Sequence, residues 1–289
     1  MGDAVLLEAK SYTDPITFQA ERKAIFGTGW QVVAPAASLD GEGSYAALGL
    51  GGWPLFAIRG DDGAVRCFRN VCSHQKMPVL DNGRGRCAQV RCRFHGWTYD
   101  TRGRLVSAPQ PVAPDDGDLA RYPLEVLQQA EAGGLVFVRL DARSGDAPAA
   151  GDIPLDGLAH CGAETRALNP NWKAVLDVLV DGPASPAPGA GGRYAWLWPT
   201  TGLWAEPDGT VVMQVVPRTF RKTELHLHGL GADADAVMAR ASAWADRVAA
   251  AAEARQQAAE AGAPADAATA QRLAPLHDWI RTRLQEMAA

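Results

Sequence analysis

Four residues in the first third of the chain could bind redox-active iron. They are Cys72 and His74 in Cys72-Ser73-His74, and Cys92 and His95 in Cys92-Arg93-Phe94-His95, with 17 residues between His74 and Cys92. Two thiolates and two imidazoles in a C-x-H … C-x2-H pattern suit a [2Fe–2S] cluster of the Rieske type, in which the sulfurs hold one iron and the histidines the other. Neutral imidazole in place of thiolate removes negative charge and raises the potential, to roughly −150 to +300 mV as a class. Zinc also accepts Cys2His2, but at C-x2–4-C and H-x3–5-H spacings rather than in interleaved Cys-His pairs. The flanking Gly96-Trp97-Thr98-Tyr99-Asp100 adds a glycine that permits close backbone approach and a tryptophan that can shield sulfur. The pattern predicts one cluster per chain and one-electron transfer. Cys67, Cys87 and Cys161 lack ligand spacing and read as structural thiols.

The elements that must hold these residues are short strands broken by Gly and Asp turns. Residues 1–40 read as a helical arm starting near Asp14-Pro15, and residues 41–145 as a β-sandwich with strands at Pro54–Arg59, Val65–Asn70, Gln89–Arg91 and Gly134–Leu140. In residues 146–289 a helix is expected after Asn169-Pro170, where Asn can cap and Pro can occupy the first turn. A meander follows through Tyr194–Trp198, Leu203–Ala205, Val211–Val216 and Thr223–His228, with Pro207-Asp208-Gly209 as a turn. An Ala-rich helix comes last, striped with Val237, Ala241, Trp244, Val248 and Ala251, and Ala258–Ala270 reads as a loose connection.

The stretch Asn70-Val71-Cys72-Ser73-His74 through Cys92-Arg93-Phe94-His95-Gly96-Trp97-Thr98-Tyr99 resembles the large (alpha) subunit of Rieske non-haem iron ring-hydroxylating oxygenases. The likeness extends to Tyr12-Thr13-Asp14-Pro15, to Tyr122-Pro123-Leu124 and Gly133-Gly134-Leu135-Val136-Phe137-Val138, and to Asn171-Trp172-Lys173. It implies an α+β protein: a Rieske [2Fe–2S] β-sandwich domain followed by a shortened helix-grip catalytic-like domain of antiparallel sheet plus C-terminal helix. Gln75-Lys76 stands where the family usually has Arg-Gly, and reads as a surface change. Quinol-oxidising Rieske proteins carry an extra cysteine in each cluster loop. Met77 and Phe94 occupy those positions here, so that bridge cannot form, and the low-potential, soluble branch fits better.

The resemblance also exposes an absence. Family oxygenases follow Asn-Trp-Lys with D-x2-H-x4-H, and a later Asp completes a two-His-one-carboxylate iron site with open positions for oxygen. Read without gaps, Asp181 falls on the acid, Ala184 on the first His and Gly189 on the second. The late Asp is missing from the matching Arg247–Glu253, and the stretch 182–192 is rich in helix-breaking Pro and Gly. The expectation is a degenerate member without mononuclear iron. A replacement site could use Glu224, His226 and His228, which alternate with Leu225 and Leu227 and so share one strand face. Three polar residues on a strand face are equally ordinary in an antiparallel sheet. His160 and His277 have no partner spacing and read as surface residues.

Composition narrows the class. In 289 residues, 47% hydrophobic and 21% charged residues are those of a globular protein, and a net charge of −5 gives no footprint for nucleic acid. No apolar stretch reaches membrane-spanning length, the N-terminus lacks an export-signal pattern, and five cysteines suit a reducing cytoplasm. The expected role is an electron-transfer or auxiliary subunit of a heteromeric Rieske oxygenase. It would take electrons from a ferredoxin or reductase and pass them to the mononuclear iron of an intact catalytic partner, in a hetero-oligomer built on trimers. Asp181, which the family uses between cluster and iron, would then be a relic. A complete oxygenase with an atypical iron site and a free-standing Rieske ferredoxin are the alternatives, and residues 146–289 argue against the latter.

Overall fold

The computed structural model describes residues 6–114, 117–141, 148, 152–181, 191–263, 265 and 267–288. The chain forms two compact units, residues 30–149 and residues 1–29 with 150–289. The expected arm over 1–40 is therefore divided: its helices belong to the second unit, and Trp30–Pro35 is a strand of the first.

The first unit contains three antiparallel sheets. Strand β1 (Trp30–Pro35) pairs with β10 (Leu135–Arg139), which pairs with β9 (Gln128–Ala132). A second sheet orders β4 (Val65–Arg69), β3 (Trp53–Arg59), β2 (Ser44–Leu50) and β5 (Gly83–Arg86), and a third joins β6 (Val90–Arg91), β7 (Thr98–Tyr99) and β8 (Leu105–Ser107). In β3 the run Leu55-Phe56-Ala57-Ile58 is wholly buried, so both faces are covered and alternation disappears. Polar β9 (Gln-Gln-Ala-Glu-Ala) is instead an edge strand, where charge discourages further pairing. Phe56, Phe68, Trp97, Tyr99, Leu105 and Leu124 form a core that includes Cys72 and Cys92. Burial of each such side chain stabilises by about 1.5–3 kcal/mol.

The second unit is a five-stranded antiparallel sheet with helices. Its strand order is β11 (His160–Leu168), β15 (Lys222–Gly231), β14 (Gly209–Thr219), β13 (Thr201–Glu206) and β12 (Arg193–Leu197). Helix α1 (Ala9–Thr13) precedes α2 (Pro15–Glu21), which Asp14 caps by accepting from the Ile16 and Thr17 amides. Helix α3 (Trp172–Asp181) starts two residues later than expected: the Asn171 side chain accepts from the Lys173 amide, and the Pro170 carbonyl accepts from Thr223 Oγ1. Helix α4 (Ala234–Glu260) is capped by Asp233, and its buried stripe runs through Ala252 rather than Ala251 and on to Gln256 and Ala259. The expected loose connection is the junction between α4 and a further helix, α5 (Ala267–Ala288). This last helix is not expected from sequence; it contains Pro275, and Leu273, Leu276 and Ile280 bury an apolar stripe across that proline.

Candidate iron–sulfur centre

Two loops of the first unit carry the four predicted ligands. Cys72 and His74 follow β4; Cys92 and His95 connect β6 to β7. The loops are built alike. In the first, the Cys72 amide donates to the Met77 carbonyl at 2.7 Å and the Lys76 amide to the Cys72 carbonyl at 3.0 Å. In the second, Cys92 donates to Trp97 at 2.8 Å and Gly96 to Cys92 at 2.9 Å. The fourth residue after each cysteine is left-handed, with φ of +60° at Lys76 and +73° at Gly96. Glycine is the ordinary solution there. Asn70 closes the first loop from inside, donating to the Leu80 carbonyl and accepting from the Val79 and Leu80 amides.

Depth separates the donor types. Cys72 and Cys92 are buried, whereas His74 and His95 are half-buried. The two imidazoles face each other with centroids 4.7 Å apart, and His74 stacks on Trp97 at 4.9 Å and 12°. Trp97 is fixed by its Nε1 donating to the Val112 carbonyl and by edge contact with Tyr122. Tyr99 Oη accepts from the Ser73 amide at 3.1 Å and lies 3.2 Å from Cys72 Sγ. Sequence reasoning gave Tyr99 and Asn70 no role beyond the motif. Their position beside paired ligand loops was the available signal.

The residues fit a [2Fe–2S] cluster. His74 Nδ1 is buried and has no hydrogen-bond partner among the described residues, as a nitrogen reserved for metal would be. Burial pushes the Cys72 thiol up; Tyr99 opposes that and neighbouring Cys92 adds to it, so two thiolates here call for compensating positive charge. Among the described residues no group of three His, Cys, Asp or Glu side chains is arranged around a single metal ion. A two-iron cluster does not need one, because its ligands divide two and two.

The other predicted metal residues do not converge. Glu224, His226 and His228 do alternate with buried Leu225 and Leu227, but β15 lies between β11 and β14 rather than at an edge. Glu224 pairs with His226 at 3.0 Å and Arg218 at 3.3 Å, while His228 Nδ1 turns to His160 Nε2 at 3.4 Å. His277, expected at the surface, is fully buried. Its Nδ1 accepts from the Leu7 amide and its Nε2 donates to Asp177 at 2.8 Å. Asp177 also receives Tyr12 Oη and Arg255 Nε, each at 2.8 Å. Asp181 ends α3, and Ala184 and Gly189 lie outside the described residues. In the Arg247–Glu253 stretch, Arg247 sits 5.7 Å over the Trp204 ring and Glu253 is exposed.

A strand-built unit with paired Cys-His loops, joined to a helix-covered antiparallel sheet, defines an iron–sulfur protein with the fold of a Rieske oxygenase alpha subunit. Residues 29–125 match the Rieske [2Fe–2S] domain. The chain is 29% identical over 177 residues to the glycine betaine monooxygenase oxygenase subunit of Chromohalobacter salexigens, covering 57% of this chain and 39% of that protein. It is 36% identical over 138 residues to the 2-aminobenzenesulfonate 2,3-dioxygenase subunit alpha of an Alcaligenes species, covering 47% and 35%. The matches thus span well under half the length of these curated relatives. Among solved structures, the quaternary ammonium Rieske monooxygenase CntA superposes with a TM-score of 0.76 at 19% identity, over 96% of each chain. The two-part architecture, Rieske domain plus catalytic-like domain, is therefore that of Rieske oxygenase alpha subunits. No helix among the described residues is long and apolar enough to cross a membrane.

Proposed function

We propose that Cys72, His74, Cys92 and His95 hold one Rieske [2Fe–2S] cluster in a subunit that serves electron transfer within a heteromeric Rieske oxygenase. The donor is a ferredoxin or reductase in the cytoplasm, and the acceptor is the mononuclear iron of a catalytic partner. Such a cluster, when bound, supplies one-electron storage at a potential above the roughly −400 mV of plant-type ferredoxins, so transfer from them is downhill. The protein's part is positional. Buried cysteines anchor the site inside, and the half-buried imidazoles of His74 and His95 bring it within reach of a partner.

The observation that carries this reading is the ligand inventory. Of six histidines, two are in the cluster loops, and the remaining four pair with Glu224, with Asp177 and with each other. Ala and Gly stand at 184 and 189, where an ungapped reading expects imidazoles.

A complete oxygenase is the second reading, and the comparisons support it more than an electron-transfer-only role. The relatives named above are monooxygenase and dioxygenase subunits, and the fold continues through a catalytic-like domain. Under it, a third iron uses atypical ligands such as Glu224, His226 and His228. Iron and acid-labile sulfide per chain, measured on anaerobically purified protein, separate the two. Two irons with two sulfides and no turnover without a partner support the electron-transfer subunit. Three irons, one of them lost in a His226→Ala, His228→Ala double variant, support the complete enzyme.

A further inference from the structure

The segment ahead of α1 is tied down through a histidine that the proposed function leaves unused. His277, on α5, is fully buried, and both of its ring nitrogens are engaged. Nδ1 lies 3.0 Å from the Leu7 amide. A backbone N–H can only donate, so Nδ1 must keep its lone pair and the ring proton must sit on Nε2. Nε2 gives that proton to Asp177 Oδ1 at 2.8 Å. The neutral tautomer is thus fixed by two partners whose roles cannot be exchanged.

Charged and titratable groups reach this site from every neighbouring helix. From α1, Tyr12 donates to Asp177 Oδ2 at 2.8 Å, and burial, with Asp177 beside it, keeps the phenol protonated. From α4, Arg255 donates to the same oxygen at 2.8 Å, and arginine stays charged throughout. Lys173 of α3, also close to Asp177, is paired with Glu21 at the end of α2 at 2.7 Å, both side chains fully buried. A second proton on His277 could go only to Nδ1, where its N–H would oppose the Leu7 N–H. The attraction to Leu7 would become a repulsion, while the bond to Asp177 would persist. Leu7 packs against Tyr12, Ala174 and Ala259, so that bond also holds a small apolar contact closed.

We propose that the Leu7–His277 contact is a pH-sensitive latch: closed while the imidazole is neutral, it opens when Nδ1 is protonated, freeing the segment ahead of α1 and uncovering Ala174 and Ala259. Histidine is the side chain whose ordinary ionisation falls between about pH 5 and 8. The closed state excludes a proton at Nδ1 and the open state does not, so closure is complete above that range and weakens as pH falls through it. Tyr12 stays held by Asp177, so opening stops at α1. The latch is the same whether the chain is an electron-transfer subunit or a complete oxygenase.

The test follows amide exchange in the full chain with its cluster loaded. Exchange is expressed as protection factors, which remove the intrinsic pH dependence, at about pH 8 and about pH 5.5. Expected in the wild type is a roughly tenfold loss of protection at Leu7 on acidification, with α4 unchanged. Acid also reaches His160, His226 and His228 of the same unit, so a variant assigns the effect. His277→Gln presents an acceptor and a donor without titrating, and should hold Leu7 equally at both pH values. The ring-nitrogen resonances of histidine-labelled protein need no variant: the Nδ1 signal of His277 should reach its protonated position over the range in which Leu7 loses protection. Equal protection of Leu7 at both pH values, the same acid loss in His277→Gln as in the wild type, or a loss shared with α4 would overturn the latch. So would release of Leu7 while Nδ1 stays unprotonated.

Discussion

Tyr99 Oη lies 3.2 Å from Cys72 Sγ while accepting the Ser73 amide at 3.1 Å, which places its hydroxyl within hydrogen-bond reach of the predicted ligand sulfur. Burial, together with the Cys72 sulfur, keeps the phenol protonated well above its ordinary range. A protonated phenol at this distance can donate to that sulfur once the sulfur is a thiolate.

Tyr99→Phe should lower the cluster's reduction potential. A hydrogen bond worth about 0.5–1.5 kcal/mol corresponds to roughly 20–65 mV for a one-electron couple. A redox titration followed by electron paramagnetic resonance reads the shift, and an unchanged potential would show that the phenol does not donate to the cluster.

Asp177 joins three donors inside the second unit: Tyr12, Arg255 and His277. Asp177→Ala would leave Arg255 without its carboxylate and the His277 and Tyr12 protons without an acceptor. Breaking a buried pair in this way costs about 3–5 kcal/mol. Thermal melting should drop by many degrees. Because His277 also receives the Leu7 amide, residues 7–13 should exchange amide hydrogen faster.

Glu224 tests the sheet-face cluster as an ion pair rather than a metal site. Hydrogen bonding from His226 holds its carboxyl below the ordinary glutamate value, against an opposing effect of burial and with help from Arg218. A carboxyl with a lowered folded pKa stabilises above the unfolded value and loses that contribution as pH falls through the folded one. The melting difference between wild type and Glu224→Gln should therefore be present at neutral pH and close below about pH 4. Solvent screening of this partly exposed pair keeps the difference small. His226→Gln should retain the full wild-type iron content.

Cys67 is buried on β4 and its thiol is pushed up to about 12, mainly by burial. At pH 8 only about one in ten thousand such thiols is ionised, against roughly a quarter of ordinary ones. Iodoacetamide should therefore modify Cys161 and Cys87, both partly exposed, well before Cys67. Rapid labelling of Cys67 in the native protein would contradict its burial.

The sequence by itself determined the chemistry: interleaved Cys-His pairs at these spacings admit few metals, and Pro, Gly and alternating apolar residues place β3, β4 and β12 close to their observed limits. Read without gaps, it also puts Ala184 and Gly189 where the resembled family has imidazoles. Only the tertiary structure decided which histidines are occupied. His277 reads as a surface residue in sequence, since its partners Leu7 and Asp177 lie 270 and 100 positions away. The left-handed turn at Lys76 was equally illegible, because a lysine carries no local signal for positive φ and is held there by hydrogen bonds across the loop. Helix α5 shows the same rule: Pro275 argues locally for a break, and burial of Leu273, Leu276 and Ile280 outweighs it. Ligand type is written residue by residue, whereas burial and pairing arise from contacts between distant segments.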